Sequence, residues 1–167
     1  MSKFRFAVMA SAALGLGFVC SSAIAAISGT DHDFSSRGWG STEICVFCHA
    51  PHNTNTSVAG APLWNHAVTG ATFTMYSSSS LKATMPGQPA GVSKLCLSCH
   101  DGVTALDSFG TRTPTAGPIT GIANIGTNLG NDHPIGFAYN AALVALNPGL
   151  KSPPGTLPRY GSVNDTT

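Results

Sequence analysis

Residues 45–49 read Cys45-Val46-Phe47-Cys48-His49 and residues 96–100 read Cys96-Leu97-Ser98-Cys99-His100, so the string Cys-x-x-Cys-His occurs twice. Two intervening residues put both sulfurs on one side of a single backbone turn, and the histidine follows at once. In an exported chain this pattern attaches a c-type haem, each thiol bonding a vinyl group while the imidazole reaches the iron. The doubled motif predicts two covalent haems c, one held by Cys45 and Cys48 and one by Cys96 and Cys99, with His49 and His100 as proximal ligands. A zinc ribbon also repeats a Cys-x-x-Cys pair, but its pairs stand about 15 to 20 residues apart. Here 47 residues separate Cys48 from Cys96, and zinc gives no reason for a histidine after both pairs.

The N-terminus predicts export. Lys3 and Arg5 form a short basic region, Phe6 to Val19 an apolar one, and Ala23-Ile24-Ala25 a small-x-small cleavage signal. Residues 1–25 therefore read as a signal peptide that is removed, leaving a chain that starts at Ala26. The apolar run is too short for a membrane anchor, which needs roughly 18 residues or more. Cys20 leaves with the leader, so every remaining cysteine belongs to a motif and none is left for a disulfide framework.

After cleavage six Lys and Arg face seven Asp and Glu, and the propionates of two haems add further negative charge. Nucleic acid, which wants a basic patch, is excluded as a partner. Charged residues are only 9% of the chain, whereas Gly, Pro, Ser, Thr and Asn are plentiful. Such a chain has little with which to build a large aliphatic core. The expected fold is mostly irregular coil with a few short helices and little strand, a multihaem cytochrome c domain organised by its haems and largely unfolded without them.

Local signals are sparse. Ser93 is the expected cap of a helix running through Cys96 to about Asp101-Gly102, and Ser41 begins a similar turn before Cys45. Asn140 caps a helix over Ala141 to Leu146, stopped by Asn147-Pro148-Gly149. The alternation Thr72 to Tyr76 predicts one brief strand. Residues 26–148 form the expected dihaem domain, with 149–167 a loosely ordered Pro- and Gly-rich tail.

The sixth ligand sets the potential and decides whether the iron is open. Beyond His49 and His100 there remain His32, His52, His66 and His133, four candidates for two distal positions. His52 lies three residues after His49, poorly placed for the far side of the first iron and better placed for a neighbouring one. His133 precedes a proline that fixes its turn. Asp31 and Asp33 flank His32 and are able to orient its ring. His66 follows Trp64, an aromatic suited to packing on a porphyrin. Met75 and Met85 are alternative ligands that would raise the potential, although a methionine in so apolar a chain more often packs.

The strings His32-Asp33-Phe34-Ser35, Cys45 to Asn53, Pro62 to His66, Leu95 to Gly102 and Asn131 to Phe137 resemble the doubled-CxxCH multihaem cytochromes of metal-reducing bacteria, including the tetrahaem type that assembles into extracellular filaments. The similarity runs from about residue 31 to 139. It implies bis-histidine, low-potential haems in close contact, a coil-rich fold and electron transfer in the periplasm or outside the cell. Other redox proteins or extracellular acceptors are the implied partners, with a homo-oligomer or filament as the implied assembly. Tetrahaem relatives carry further CxxCH motifs after the Asn131-to-Phe137 segment, and this chain has none there. Its surplus histidines either ligate haems of neighbouring subunits or are remnants of a longer ancestor.

Three function classes follow. The favoured one is an electron carrier with both irons six-coordinate. A dihaem peroxidase or reductase would need an open iron and acid–base groups, for which Glu43, Asp101 and Asp107 are the main candidates and form no recognisable pair. An exported zinc-binding module is the third. Lys82, Lys94 and Arg112 are candidate partners for haem propionates.

Overall fold

The computed structural model describes residues 26–152. The expected leader and most of the expected tail lie outside the described residues. Within them, regular structure is limited to two α-helices, α1 (Gly91–His100) and α2 (Ala141–Leu146), and two 3-10 turns at Gly121–Ala123 and Leu129–Asn131. Four isolated β-bridges pin the coil together, joining His49 to Trp64, His66 to Phe109, Thr74 to Asn128 and Ala105 to Pro118. The coarse expectation of coil with a few short helices and little strand therefore holds. Among the described residues no helix is long and apolar enough to cross a membrane.

The helix boundaries follow from local chemistry. In α2 the side chain of Asn140 accepts a hydrogen bond from the Leu143 amide at 3.0 Å, the expected cap. In α1 the expected cap is displaced. Ser93 lies inside the first turn, and the helix starts from Ala90 without a side-chain cap, entered through Gly91 at φ +51°. At the other end Asp101 closes the helix by donating its amide to the Leu97 carbonyl at 2.9 Å. Gly102 then takes the left-handed conformation at φ +69°, where a Cβ would also strike the Asn124 side chain.

The first motif is not on a helix. The His49 amide donates to the Cys45 carbonyl at 2.8 Å, one turn that goes no further. Ser41 accepts from the Glu43 amide at 3.1 Å and so opens this turn, as the sequence suggests.

Thr72 to Tyr76 is not a strand. Only Thr74 pairs with another segment, through the Thr127 carbonyl and the Leu129 amide. At Phe73 the backbone N–H and C=O are both taken by the Gln88 side-chain amide, each at 2.8 Å. A single primary amide thus replaces a strand partner, which satisfies the backbone without propagating a ladder.

Two small cores result, and each has a motif's spacer residue at its centre. Phe47, between the first pair of cysteines, is 1% exposed and meets Phe109 edge-on at 4.9 Å, Phe34 at 5.7 Å and Trp39 at 6.2 Å. Leu97, between the second pair, packs with Phe73 and Leu129, and Ala71, Met75 and Ile135 cover them. Met75 is thus a packing residue in this fold.

Polar nodes hold the rest. Buried Ser98 donates to the Lys94 carbonyl and accepts from the Thr69 amide, tying residue 69 to α1. Asp107, fully buried, accepts from the Thr115 amide and hydroxyl, the Ala116 amide and the Arg112 guanidinium. A loop without secondary structure gains its shape from one carboxylate, since buried acceptors must be satisfied.

Candidate haem site

The two motifs open into one cavity of about 630 Å3. Cys48 and His49 of the first motif and Cys96, Cys99 and His100 of the second line it. Trp64, Leu95, Leu106 and Ile119 supply apolar wall, which suits a flat hydrophobic group with a few convergent polar atoms. The backbone brings the motifs together in different ways. The first is braced by the segment 62–66, with the Asn65 amide donating to the Cys48 carbonyl at 2.9 Å and the Ala50 amide to the Leu63 carbonyl at 2.9 Å. The second is held on α1, whose last carbonyl, that of His100, accepts from the amides of Ile125 and Gly126.

Both motif histidines are oriented alike. His49 lies with Nδ1 2.6 Å from the Pro62 carbonyl oxygen, and His100 with Nδ1 2.8 Å from that of Ala123. A nitrogen facing a carbonyl must donate, so in the neutral ring the proton sits on Nδ1 and the lone pair on Nε2. Where an imidazole ligates a metal, a hydrogen bond of this kind orients the ring and raises its basicity.

The four other histidines are distributed unevenly. His32 is exposed and lines the shared cavity beside His100, with ring centroids 6.2 Å apart. Two imidazoles on opposite sides of one metal ion, each bonded at about 2 Å, have centroids about 6 Å apart. His66 is 2% exposed and does not line the shared cavity, with Nδ1 2.8 Å from the Ala67 carbonyl and Nε2 3.2 Å from that of Leu106 and 3.6 Å from Cys99 Sγ. An iron reaching its Nε2 would have to displace the Leu106 contact. His52 is exposed and lines a second cavity of about 720 Å3 together with His66 and Arg112. His133 is exposed and lines neither of these cavities.

Cys48 and Cys99 sit in surroundings that favour the protonated thiol. Burial pushes the Cys99 thiol up to about 12, with Cys48, Asp101 and Cys96 adding to the effect. Burial also raises Cys48, helped by Cys45. Among the described residues no three His, Cys, Asp or Glu side chains are grouped so as to hold a bare metal ion.

The donor set fits haem on these observations. The imidazoles of His49 and His100 and the thiols of Cys48, Cys96 and Cys99 line a largely apolar cavity, and among the described residues Trp64 Nε1 is a buried donor without a hydrogen-bond partner. Haem bound here would be tethered by Cys45, Cys48, Cys96 and Cys99 and held by His49 and His100. Several contributors were invisible in the sequence. The carbonyls of Pro62 and Ala123 carry no side-chain signal, and Ala123 lies in a stretch that reads only as coil. The cation on the cavity wall is Arg37 rather than Lys82, Lys94 or Arg112. Arg112 is paired with Asp107 at 3.2 Å.

Compared with known proteins, the chain matches no family model and no curated sequence.

Proposed function

We propose that the chain is an exported dihaem c-type cytochrome that exchanges single electrons with other redox proteins or extracellular acceptors, related to the doubled-CxxCH multihaem cytochromes. The observation that carries this reading is the matched pair of imidazoles. Each motif histidine is fixed through Nδ1 to a backbone carbonyl beside a cavity that both motifs share. Haem supplies the one-electron couple when bound. The chain's own part is to tether it through Cys45, Cys48, Cys96 and Cys99, to present His49 and His100 as basic ligands, and to exclude water with Trp64, Leu95, Leu106 and Ile119. Hydrogen-bonded, electron-rich imidazole favours the oxidised iron and therefore a low potential. With both motifs on one cavity, the two haems would lie close enough for electrons to pass between them inside one subunit.

The test is direct. Protein produced with its leader in a host that matures c-type cytochromes is expected to retain two haems per chain on a denaturing gel and by intact mass, with a sharp alpha band on reduction. Colourless protein carrying zinc instead would end this reading.

A second reading rests on one observation. Of the four spare histidines, only His32 lines the shared cavity. One iron would then lack a distal ligand within the chain and either bind a small molecule, as in a peroxidase or reductase, or take a histidine from another copy. Carbon monoxide distinguishes these cases. A reduced monomer that binds none is a closed carrier, one that binds it in monomer and assembly alike has an enzyme-like site, and one that loses binding on assembly completes its ligation between copies.

A further inference from the structure

The two motifs satisfy the same backbone carbonyl in different ways. In the second, the carbonyl of Leu97, the first spacer residue, accepts from the Asp101 amide at 2.9 Å, an ordinary helical bond. In the first, the matching carbonyl is that of Val46, whose helical donor would be the Ala50 amide. That amide is committed to the Leu63 carbonyl at 2.9 Å. The side chain of Asn65 takes its place, with Nδ2 donating to the Val46 carbonyl at 2.5 Å. A carbonyl can only accept, so the NH2 of Asn65 and not its Oδ1 faces Val46. The main chain of the same residue makes two further bonds. Its amide donates to the Cys48 carbonyl at 2.9 Å, and its carbonyl accepts from the Gly110 amide at 3.0 Å. Gly110 follows Phe109, whose ring meets Phe47 edge-on at 4.9 Å. Asn65 thus joins the first motif to the loop that packs on its spacer.

We infer that Asn65 is a positioning residue for the first haem, its side-chain amide standing in for a missing helical turn and holding Cys45, Cys48 and His49 in the shape that attachment and ligation need. The inference rests on the cytochrome reading and adds to it a residue outside both motifs. His49 has two anchors, its own turn, closed by the bond from its amide to the Cys45 carbonyl, and the Pro62 carbonyl behind its ring. Asn65 locks the first to the segment that carries the second. It acts on the ligand through the backbone, as the outer partners of a metal site act on the residues that hold the metal. Leucine is close to asparagine in size and has no side-chain donor, so Asn65→Leu removes the bond to Val46 while the two main-chain bonds stay available.

The experiment uses the full-length haem-loaded protein with Asn65→Leu and Asn65→Gln. Covalent haem is counted by intact mass, and electron paramagnetic resonance of the oxidised protein reads the ligand geometry at each iron. The signals are assigned with Cys45→Ala plus Cys48→Ala, which retains the second haem, and with Cys96→Ala plus Cys99→Ala, which retains the first. The expected result in Asn65→Leu is a changed ferric signal for the first haem, or loss of that haem alone, with the second haem's signal as in wild type. Asn65→Gln keeps an NH2 donor on a longer arm and should restore most of the wild-type signal. A merely structural role would disturb both haems and would not be rescued by glutamine. Wild-type signals from two haems in Asn65→Leu, disturbance of both haems alike, or no restoration in Asn65→Gln would each overturn this inference and leave the cytochrome reading intact. A wild type without haem would overturn both.

Discussion

The rings of His32 and His100 face the same cavity with centroids 6.2 Å apart, and His100 is fixed from behind by the Ala123 carbonyl. His32 reaches this position from a tight turn near the start of the described chain, where the Thr30 hydroxyl accepts its backbone amide. In the cytochrome reading this pair grips the iron of the second haem. In that reading His32→Ala should convert one haem from low-spin to high-spin and let the reduced protein bind one more carbon monoxide per chain than the wild type. Electron paramagnetic resonance of the oxidised variant checks the first effect and optical titration the second. Two low-spin haems in the variant would assign the distal role elsewhere.

Cys96→Ala combined with Cys99→Ala should leave one covalent haem per chain, measured by intact mass and by pyridine haemochrome absorbance. The second core should suffer with it, because Leu97 lies between those two cysteines and packs on Phe73 and Leu129. Loss of protection from hydrogen exchange is expected along α1 and around Thr74, with less change around Phe34 and Trp39.

Phe47→Ala removes the centre of the aromatic cluster. Deleting a buried phenylalanine costs about 3–5 kcal/mol, and this ring is 1% exposed with three aromatic neighbours. Denaturant unfolding followed in the Soret band should show a loss in that range, whereas Leu63→Ala, at an exposed position, should change little.

Asp107 should make the fold acid-sensitive. Its burial pushes the carboxyl upward, but hydrogen bonds from the Thr115 amide and hydroxyl, the Ala116 amide and Arg112 outweigh this and hold it below the ordinary value. A carboxylate whose folded pKa is depressed contributes stability above its unfolded pKa of about 4 and loses it as pH falls through the lower folded value. Stability should therefore decline as pH drops below about 4. Asp101 shifts in the same direction, burial again being outweighed by Thr69, Thr104 and Val103. Asp107→Asn should be less stable at neutral pH by about 1–3 kcal/mol, the cost of weakening bonds to a charged acceptor. It should also lose part of the acid dependence in a pH series of denaturant midpoints.

Much of the coarse architecture is legible in the sequence because short-range chemistry decides it. Asn140 and Asn147-Pro148-Gly149 bracket α2 as local rules require, and Asp101-Gly102 ends α1. The misreadings have two causes, one local and one between distant segments. Ser93 has the chemistry of a cap, yet the turn at Ala90 and Gly91 starts the helix earlier. Thr72 to Tyr76 alternates like a strand, yet Gln88, 15 residues away, occupies the backbone groups that a strand would need. For the site, side-chain identity reveals which residues bear chemistry and stops there. That His32 meets His100, that His66 turns to backbone carbonyls and that Arg37 faces the cavity all depend on contacts between segments distant in sequence. The acceptors behind His49 and His100 are main-chain atoms, which every residue possesses and no motif can announce.

Phe47 and Leu97 stand inside the loops that two thioether bonds would close. With the cofactors attached, denaturant would melt the coil and still leave each core's central side chain leashed a few bonds from its porphyrin. That local concentration would not depend on how dilute the protein is. Recovery from unfolding should then begin at two preset points instead of by random encounter. A chain so poor in regular structure would find its way back faster than its long-range contacts suggest.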